Sequence, residues 1–390
     1  MRVYAYNKYG RDATMQYAWQ TREDGLLAPY AMFSRLSSGR RHPESLHPYR
    51  GPFQRDRDRI LHSAAFRRLS GKMQVFTGDM GDYHRTRLTH THEVSSLART
   101  IGRYLRLNED LIEALGLLHD IGHPPFGHCG EDALHECLAN FGGFSHNRFA
   151  LELVEQLEQR YTTTPGLNLT DEVLAGQTHR TDKKRKAKEL PPLLEVQVVD
   201  AADSIAYDAH DIDDAIKLGL ITFQQIYGLP IVRRAIESAG STSAQPNNER
   251  QLLVHALIDL QIDDFIRHSE LRLAEVQELD AQSVREVGME LLMSAELESE
   301  KLELEAFLFE NVYRHPRLME MRQRAATRVK QMFKLLVAYP ERLPPRFQQL
   351  AAKHGEERSV GQYLAGMTDR FCDDTYIQLV ELGRDQATDW

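Results

Sequence analysis

The stretch LLHDIGHPPFGH (117–128) brings together side chains that do little for a core and much for chemistry. His119 and Asp120 adjoin at the end of an apolar run. Buried there without partners, each would cost about 1–3 kcal/mol, and more if charged. A divalent cation compensates both. Imidazole also exchanges protons near neutral pH. Eight of the 17 histidines (His84, His90, His92, His119, His123, His128, His135 and His146) lie within 84–146. His90 shares a helical face with Val94, and Asp203 lies four residues after Val199 and three before Ala206, so both can point inward. His90, His119, Asp120 and Asp203 would close one side of an octahedral metal and leave the rest for water and substrate. Mn or Mg suits an oxygen-rich site best, while Fe, Co, Ni and Zn are not separated by ligand type alone. Singly, each residue reads more simply, as a capping pair, a core histidine or an ion-paired carboxylate. The metal reading rests on the set.

The elements that would carry these residues read as helices. Val94, Leu97, Ala98, Ile101 and Leu105 recur at helical spacing over 92–107. A second helix is expected over about 109–121, with Asn108 as N-cap, ended by Gly122 and Pro124-Pro125. A third starts near His128, a fourth covers about 146–159, and a fifth about 195–217. After a polar linker at 239–249 come helices at 250–272, 283–314 and 317–337, then a break at Pro340, Pro344 and Pro345, then two more. The segment 77–86 reads as a loop, and 179–190 as a basic loop. No alternating strand pattern and no internal repeat is present, so the expected fold class is all-α.

Composition narrows the function. The chain has 390 residues, 42% hydrophobic and 27% charged, with a net charge of −9. This is a globular composition with no general attraction to nucleic acid or anionic membrane. No apolar run is long enough to span a bilayer, and the first residues lack the apolar core of a secretory signal, so no membrane partner and a cytoplasmic location are expected. Three cysteines without a CxxC pair (Cys129, Cys137, Cys372) argue against a disulfide scaffold and a thiolate zinc site. P-loop, Rossmann and GxSxG signatures are absent.

The ordered segments RDRDRILHSAAFRRLSGKMQVF (55–76), RTRLTHTHEV (85–94), ALGLLHDIGHPPFGHCGEDAL (114–134), FSHN (144–147) and VVDAADSIAYDAHDIDDAI (198–216) resemble the deoxyguanosine triphosphate triphosphohydrolase family of HD-domain enzymes. A weaker likeness continues through FLFENVYRHP (307–316) and YLAGMTDRF (363–371). The resemblance implies an HD-domain helical fold with additional C-terminal helices. It also implies metal-dependent hydrolysis of dGTP or several dNTPs to deoxynucleoside and inorganic triphosphate. The metal ligands it implies are the four named above, and the catalytic dyad is His128 and Glu131. Spacing alone also allows that pair to be a helix-start histidine with an acidic neighbour in the first turn. Substrate contacts implied are Arg87, His123 and His146 to phosphates, Tyr207 to the sugar, Asp211 to the sugar 3′-hydroxyl or phosphates, and Arg68 to base or sugar. Ala64 and Met73 depart from the family pattern.

The implied organisation is an N-terminal arm (1–50), an HD-type catalytic core (51–235, the HD domain proper about 85–212) and a C-terminal helical region (250–390) packed on the core and engaged in subunit contacts. Family likeness also implies a homo-oligomer, tetramer or hexamer, and an activating dNTP in some members. The basic run Lys183, Lys184, Arg185, Lys186 and Lys188 reads first as a solvated loop and second as a groove for single-stranded DNA. The alternative enzyme is another HD-type phosphohydrolase, a nucleotide phosphomonoesterase or phosphodiesterase.

Overall fold

A computed structural model describes residues 17–74, 85–162, 164–181, 190–240 and 246–390. The basic run at 183–188 lies outside the described residues, as do most of the loop expected at 77–86 and the middle of the linker expected at 239–249. The described chain is helical, with no strand and two isolated bridges, Arg40 to Thr170 and Met73 to Thr86. In chain order the helices are α1 (Ala18–Leu26), α2 (Pro52–Leu61), α3 (Ala64–Arg68), α4 (Arg87–Tyr104), α5 (Glu109–Leu118), α6 (Gly127–Cys137), α7 (His146–Glu152), α8 (Asp171–Thr181), α9 (Leu194–Lys217), α10 (Phe223–Ile226), α11 (Pro230–Ser238), α12 (Pro246–Leu273), α13 (Ala281–Glu286), α14 (Ala295–Leu308), α15 (Pro316–Ala338), α16 (Pro345–His354), α17 (Glu356–Ala365) and α18 (Asp369–Tyr376). No helix among them is long and apolar enough to cross a membrane.

Local chemistry sets the ends of the helices that matter. Thr86 caps α4 by accepting from the Thr89 N–H, and Thr89 returns the bond, so α4 begins five residues earlier than its apolar repeat suggests. Asn108 caps α5 by accepting from Leu111 N–H, and Glu109 and Asp110 in the first turn suit the helix dipole. The single helix expected over 283–314 is broken. Gly288 adopts φ +77° after α13, and the Ser294 side chain starts α14 by accepting from Leu297 N–H. After the prolines come three helices and not two, because Gly355 (φ +95°) separates α16 from α17 and Thr368 caps α18.

α4, α5 and α9 pack against one another, with α2 on α5 and α8 on both α5 and α7. One core runs from these helices into α15, α17 and α18, so the C-terminal helices share the apolar interior of the site-bearing bundle. α15 and α17 lie directly on α6. A second, smaller core joins the end of α9 to α11, α12 and α14. The segment before α2 is pinned: Arg40 pairs with buried Asp56 and donates to Asn168 O at 2.6 Å, and Glu195 of α9 accepts from Met32 N–H at 2.9 Å.

Candidate metal centre and active site

His119 stands at the end of α5. Its Nδ1–H donates to the Gly116 carbonyl at 2.6 Å, which fixes the tautomer and leaves Nε2 with a lone pair. That Nε2 is buried and has no hydrogen-bond partner. It lies 3.6 Å from Asp120 Oδ1 and 3.5 Å from Asp203 Oδ1. From α4, His90 Nε2 reaches within 3.0 Å of the same Asp203 oxygen. Donor atoms of His90, His119 and Asp120 all fall within 4.8 Å of one another. A buried, proton-free nitrogen facing two carboxylates is a poor core and a good cation site. The buried cluster of His90, His119 and Asp120, with Asp203 facing both histidines, is consistent with a divalent metal.

The electrostatics agree. Burial pushes His119 below its ordinary value, keeping it neutral. Burial alone would raise the Asp120 carboxyl, but the adjoining His123, Arg87 and His119 outweigh it and hold the group well below the usual range. Arg87 Nη1 donates to Asp120 Oδ2 at 2.8 Å, and its side chain is almost fully buried. This arginine thus orients a carboxylate of the candidate metal centre.

The chain turns sharply between His119 and α6. Phe126 (φ +62°) and Gly127 (φ +59°) are both left-handed. Gly130 allows α6 to lie on this turn, since a Cβ there would come within 1.9 Å of the Pro125 carbonyl oxygen. α6 then presents His128 and Glu131. Their side chains approach at 3.4 Å, Nδ1 to Oε2, with His128 60% exposed and free to meet a ligand. Glu131 also accepts from the backbone N–H of His146 at 2.9 Å and lies 2.8 Å from its Nδ1. Burial opposes ionisation of Glu131, but the bonds from His128 and His146 prevail and hold its carboxyl far below normal.

His123, Glu131 and His146 form a second close group of potential ligands. The His123 and His146 rings stack at 3.8 Å with planes only 21° apart. Imidazole lone pairs lie in the ring plane, so nearly parallel stacked rings do not converge on one ion. Glu131 and His146 are hydrogen-bonded to each other, and His123 joins them only by stacking on the His146 ring. His123 Nδ1 faces Asp120 Oδ1 at 3.0 Å, and burial with the Arg87 charge keeps the ring neutral, so its unpartnered Nε2 is an acceptor.

A cavity of about 430 Å³ opens beside the metal cluster, with His119, Asp120 and Asp203 on one wall and His146, Tyr207 and Arg180 on the others. Asp211 is buried beneath Tyr207 and bonded to the Tyr313 hydroxyl, whose ring lies 6.3 Å from that of Tyr207. Arg68 stands outside the cavity lining, its guanidinium 4.0 Å over the Trp390 ring. Arg180, Tyr313 and His210, which packs behind His90, escape the sequence reading. His210 follows Asp203 by seven residues, so helical spacing could have found it. Nothing local marks the other two.

An all-helical bundle carrying an H…HD…D cluster from α4, α5 and α9 defines an HD-domain phosphohydrolase, and residues 87–208 match the HD domain. Residues 291–378 match the phosphohydrolase-associated domain. A protein from Geobacter sulfurreducens, named deoxyguanosinetriphosphate triphosphohydrolase-like protein, is 44% identical over 368 residues, covering 91% of this chain and 95% of that one. Proteins of the same name from Ralstonia pickettii (41% identical, 89% of this chain and 93% of that one) and Paracoccus denitrificans (40%, 89% and 97%) align similarly. The chain belongs to the deoxyguanosinetriphosphate triphosphohydrolase-like family of HD-domain proteins.

Proposed function

We propose that the protein hydrolyses deoxynucleoside triphosphates, dGTP or several dNTPs, to deoxynucleoside and inorganic triphosphate. The observation that supports this most is one juxtaposition. The unpartnered His119 Nε2 and its carboxylates line one cavity together with His146 and Tyr207, within a chain of this family.

Bound at His90, His119, Asp120 and Asp203, a divalent cation would supply Lewis-acid polarisation and charge neutralisation at phosphoryl oxygens. Asp120 is kept ionised for this by Arg87 and His123. Water attacks the α-phosphorus: the new O–P bond forms as the bond from phosphorus to the 5′-oxygen breaks. The leaving oxygen needs a proton, and the exposed His128, oriented through Nδ1 by ionised Glu131, is placed to hold one on Nε2. One proton of the attacking water goes to the leaving oxygen by way of His128, and the other stays with the triphosphate. Arg180 and His146 supply donors for the phosphate tail. Tyr207 offers a flat face to the sugar, where a 2′-hydroxyl would crowd the ring.

Product analysis tests the proposal. Metal-stripped protein is incubated with each dNTP, with GTP and with dNTP mixtures, plus Mn or Mg, and the products are resolved. Deoxynucleoside with intact triphosphate is expected, abolished in His119→Ala and reduced about 100-fold or more in His128→Ala. Stepwise release of phosphate would instead identify a phosphomonoesterase.

A further inference from the structure

Beside the ligand pair His90 and Asp203, helices α4 and α9 carry a second pair further along. Glu93 follows His90 by three residues, and His210 follows Asp203 by seven. His210 Nε2 lies 2.9 Å from Glu93 Oε2. A carboxylate only accepts, so this nitrogen carries the proton. His210 Nδ1 lies 3.3 Å from His90 Nδ1. Two N–H groups facing each other would repel, so one nitrogen must accept. With its proton on Nε2, His210 is the acceptor and His90 Nδ1–H the donor. His90 Nε2 faces Asp203 Oδ1 at 3.0 Å, on the side where a bound cation would displace any proton shared with that carboxylate. Both imidazoles are buried, and their planes cross at 77°. Arg85 Nη1, 2.5 Å from Glu93 Oε2, holds the outer end of the chain.

We infer that Glu93 and His210 form a positioning relay that holds His90 in the ring orientation and tautomer needed to ligate a divalent cation, and so sets the affinity of the site without touching metal or substrate. The inference rests on the metal reading of His90. It separates the two histidine ligands. His119 gives its Nδ1–H to a backbone carbonyl, which no side-chain substitution removes. His90 depends on two side chains, and its hold can be tuned.

The test uses the metal-stripped full chain titrated with Mn2+, free Mn2+ being read by electron paramagnetic resonance, and the melting temperature of each metal-free variant. His210→Leu keeps the volume but offers no acceptor, and should weaken Mn2+ binding about 10–100-fold. His210→Gln places a carbonyl oxygen within reach of His90 Nδ1–H and should recover most of the loss. Glu93→Ala should fall between them. Equal Mn2+ affinity in His210→Leu and wild type would overturn the relay. So would a His210→Gln variant that melts like wild type yet binds no better than His210→Leu. If His210→Leu does not fold, Glu93→Ala decides: wild-type affinity in a Glu93→Ala variant that melts like wild type would overturn the relay. A wild-type chain that binds no Mn2+ would remove the metal reading itself.

Discussion

The Asp369 carboxylate accepts the backbone N–H of Phe126 at 2.9 Å, across 243 residues of sequence. Its second oxygen accepts from Met73 N–H at 3.0 Å. One side chain at the start of α18 therefore ties the left-handed turn that launches α6 to the segment leading into α4. Lys72 completes the clamp, its buried amino group donating to the His123 carbonyl at 2.5 Å and to Ala365 O at 3.1 Å.

Removing that acceptor should disturb catalysis more than metal binding. Asp369→Ala leaves two N–H groups without a partner, at about 1–3 kcal/mol each. The turn before His128 should relax, and kcat should fall roughly tenfold or more. Mn2+ affinity should fall much less, because the candidate ligands sit on α4, on α9 and at the end of α5, whereas the turn bears directly on His128. Parallel kinetics and metal titration check this, and an equal loss of both would refute it.

Gly122 allows α7 to lie against the turn after Asp120. A Cβ at 122 would come within 2.1 Å of the His146 carbonyl oxygen and 2.5 Å of the Ala150 nitrogen, both backbone atoms. Gly122→Ala should destabilise the protein by about 1–3 kcal/mol or more, and should move His146 off Glu131. Thermal melts with turnover assays would show both effects. A variant with wild-type stability would mean that α7 is free to move.

Glu44 anchors the segment before α2. Burial would raise its carboxyl, but bonds from Arg59 and Asn168 and the nearby charges of Arg59 and Arg55 lower it from 4.5 to about 2. The ionised form is favoured in the fold. Its contribution is complete above pH about 4.5 and is lost as pH falls through about 2. Glu44→Gln should flatten that acid limb in denaturant melts and leave the neutral range parallel to wild type.

Asp211 has the opposite sign. Burial is the main cause that raises it to about 7, partly offset by the Tyr313 hydroxyl. The fold favours the protonated carboxyl, so its contribution is present below pH about 3.8 and is lost as pH rises through about 7. Metal-free Asp211→Asn should lose less stability than wild type between pH 4 and 7. An unchanged slope would show that the carboxyl is ionised throughout.

Features that depend on neighbours in sequence were legible. The apolar repeat of α4, the Asn108 cap and the proline stop after α5 are short-range matters of spacing and backbone geometry. Of the four candidate ligands, His119 and Asp120 stood out as a doublet ending an apolar helix, and His90 and Asp203 through their inward helical faces and the resemblance. Gly288 and the Ser294 cap were misread, since one glycine within a long helical pattern is often tolerated. Arg87 was read through resemblance as a phosphate contact, and its burial against Asp120 could not be anticipated from a motif.

By itself, then, the sequence determined an all-helical chain, the family and the residue types of the centre, because helical periodicity and ordered motifs are written locally. Only the tertiary structure decided which nitrogen of each histidine is free, that His210 and Glu93 stand behind His90, and that Asp369 holds the turn before His128. Those are contacts between residues far apart in the chain. A hydrogen bond depends on distances of a few tenths of an ångström, which only the packing of α4, α6, α9 and α18 sets.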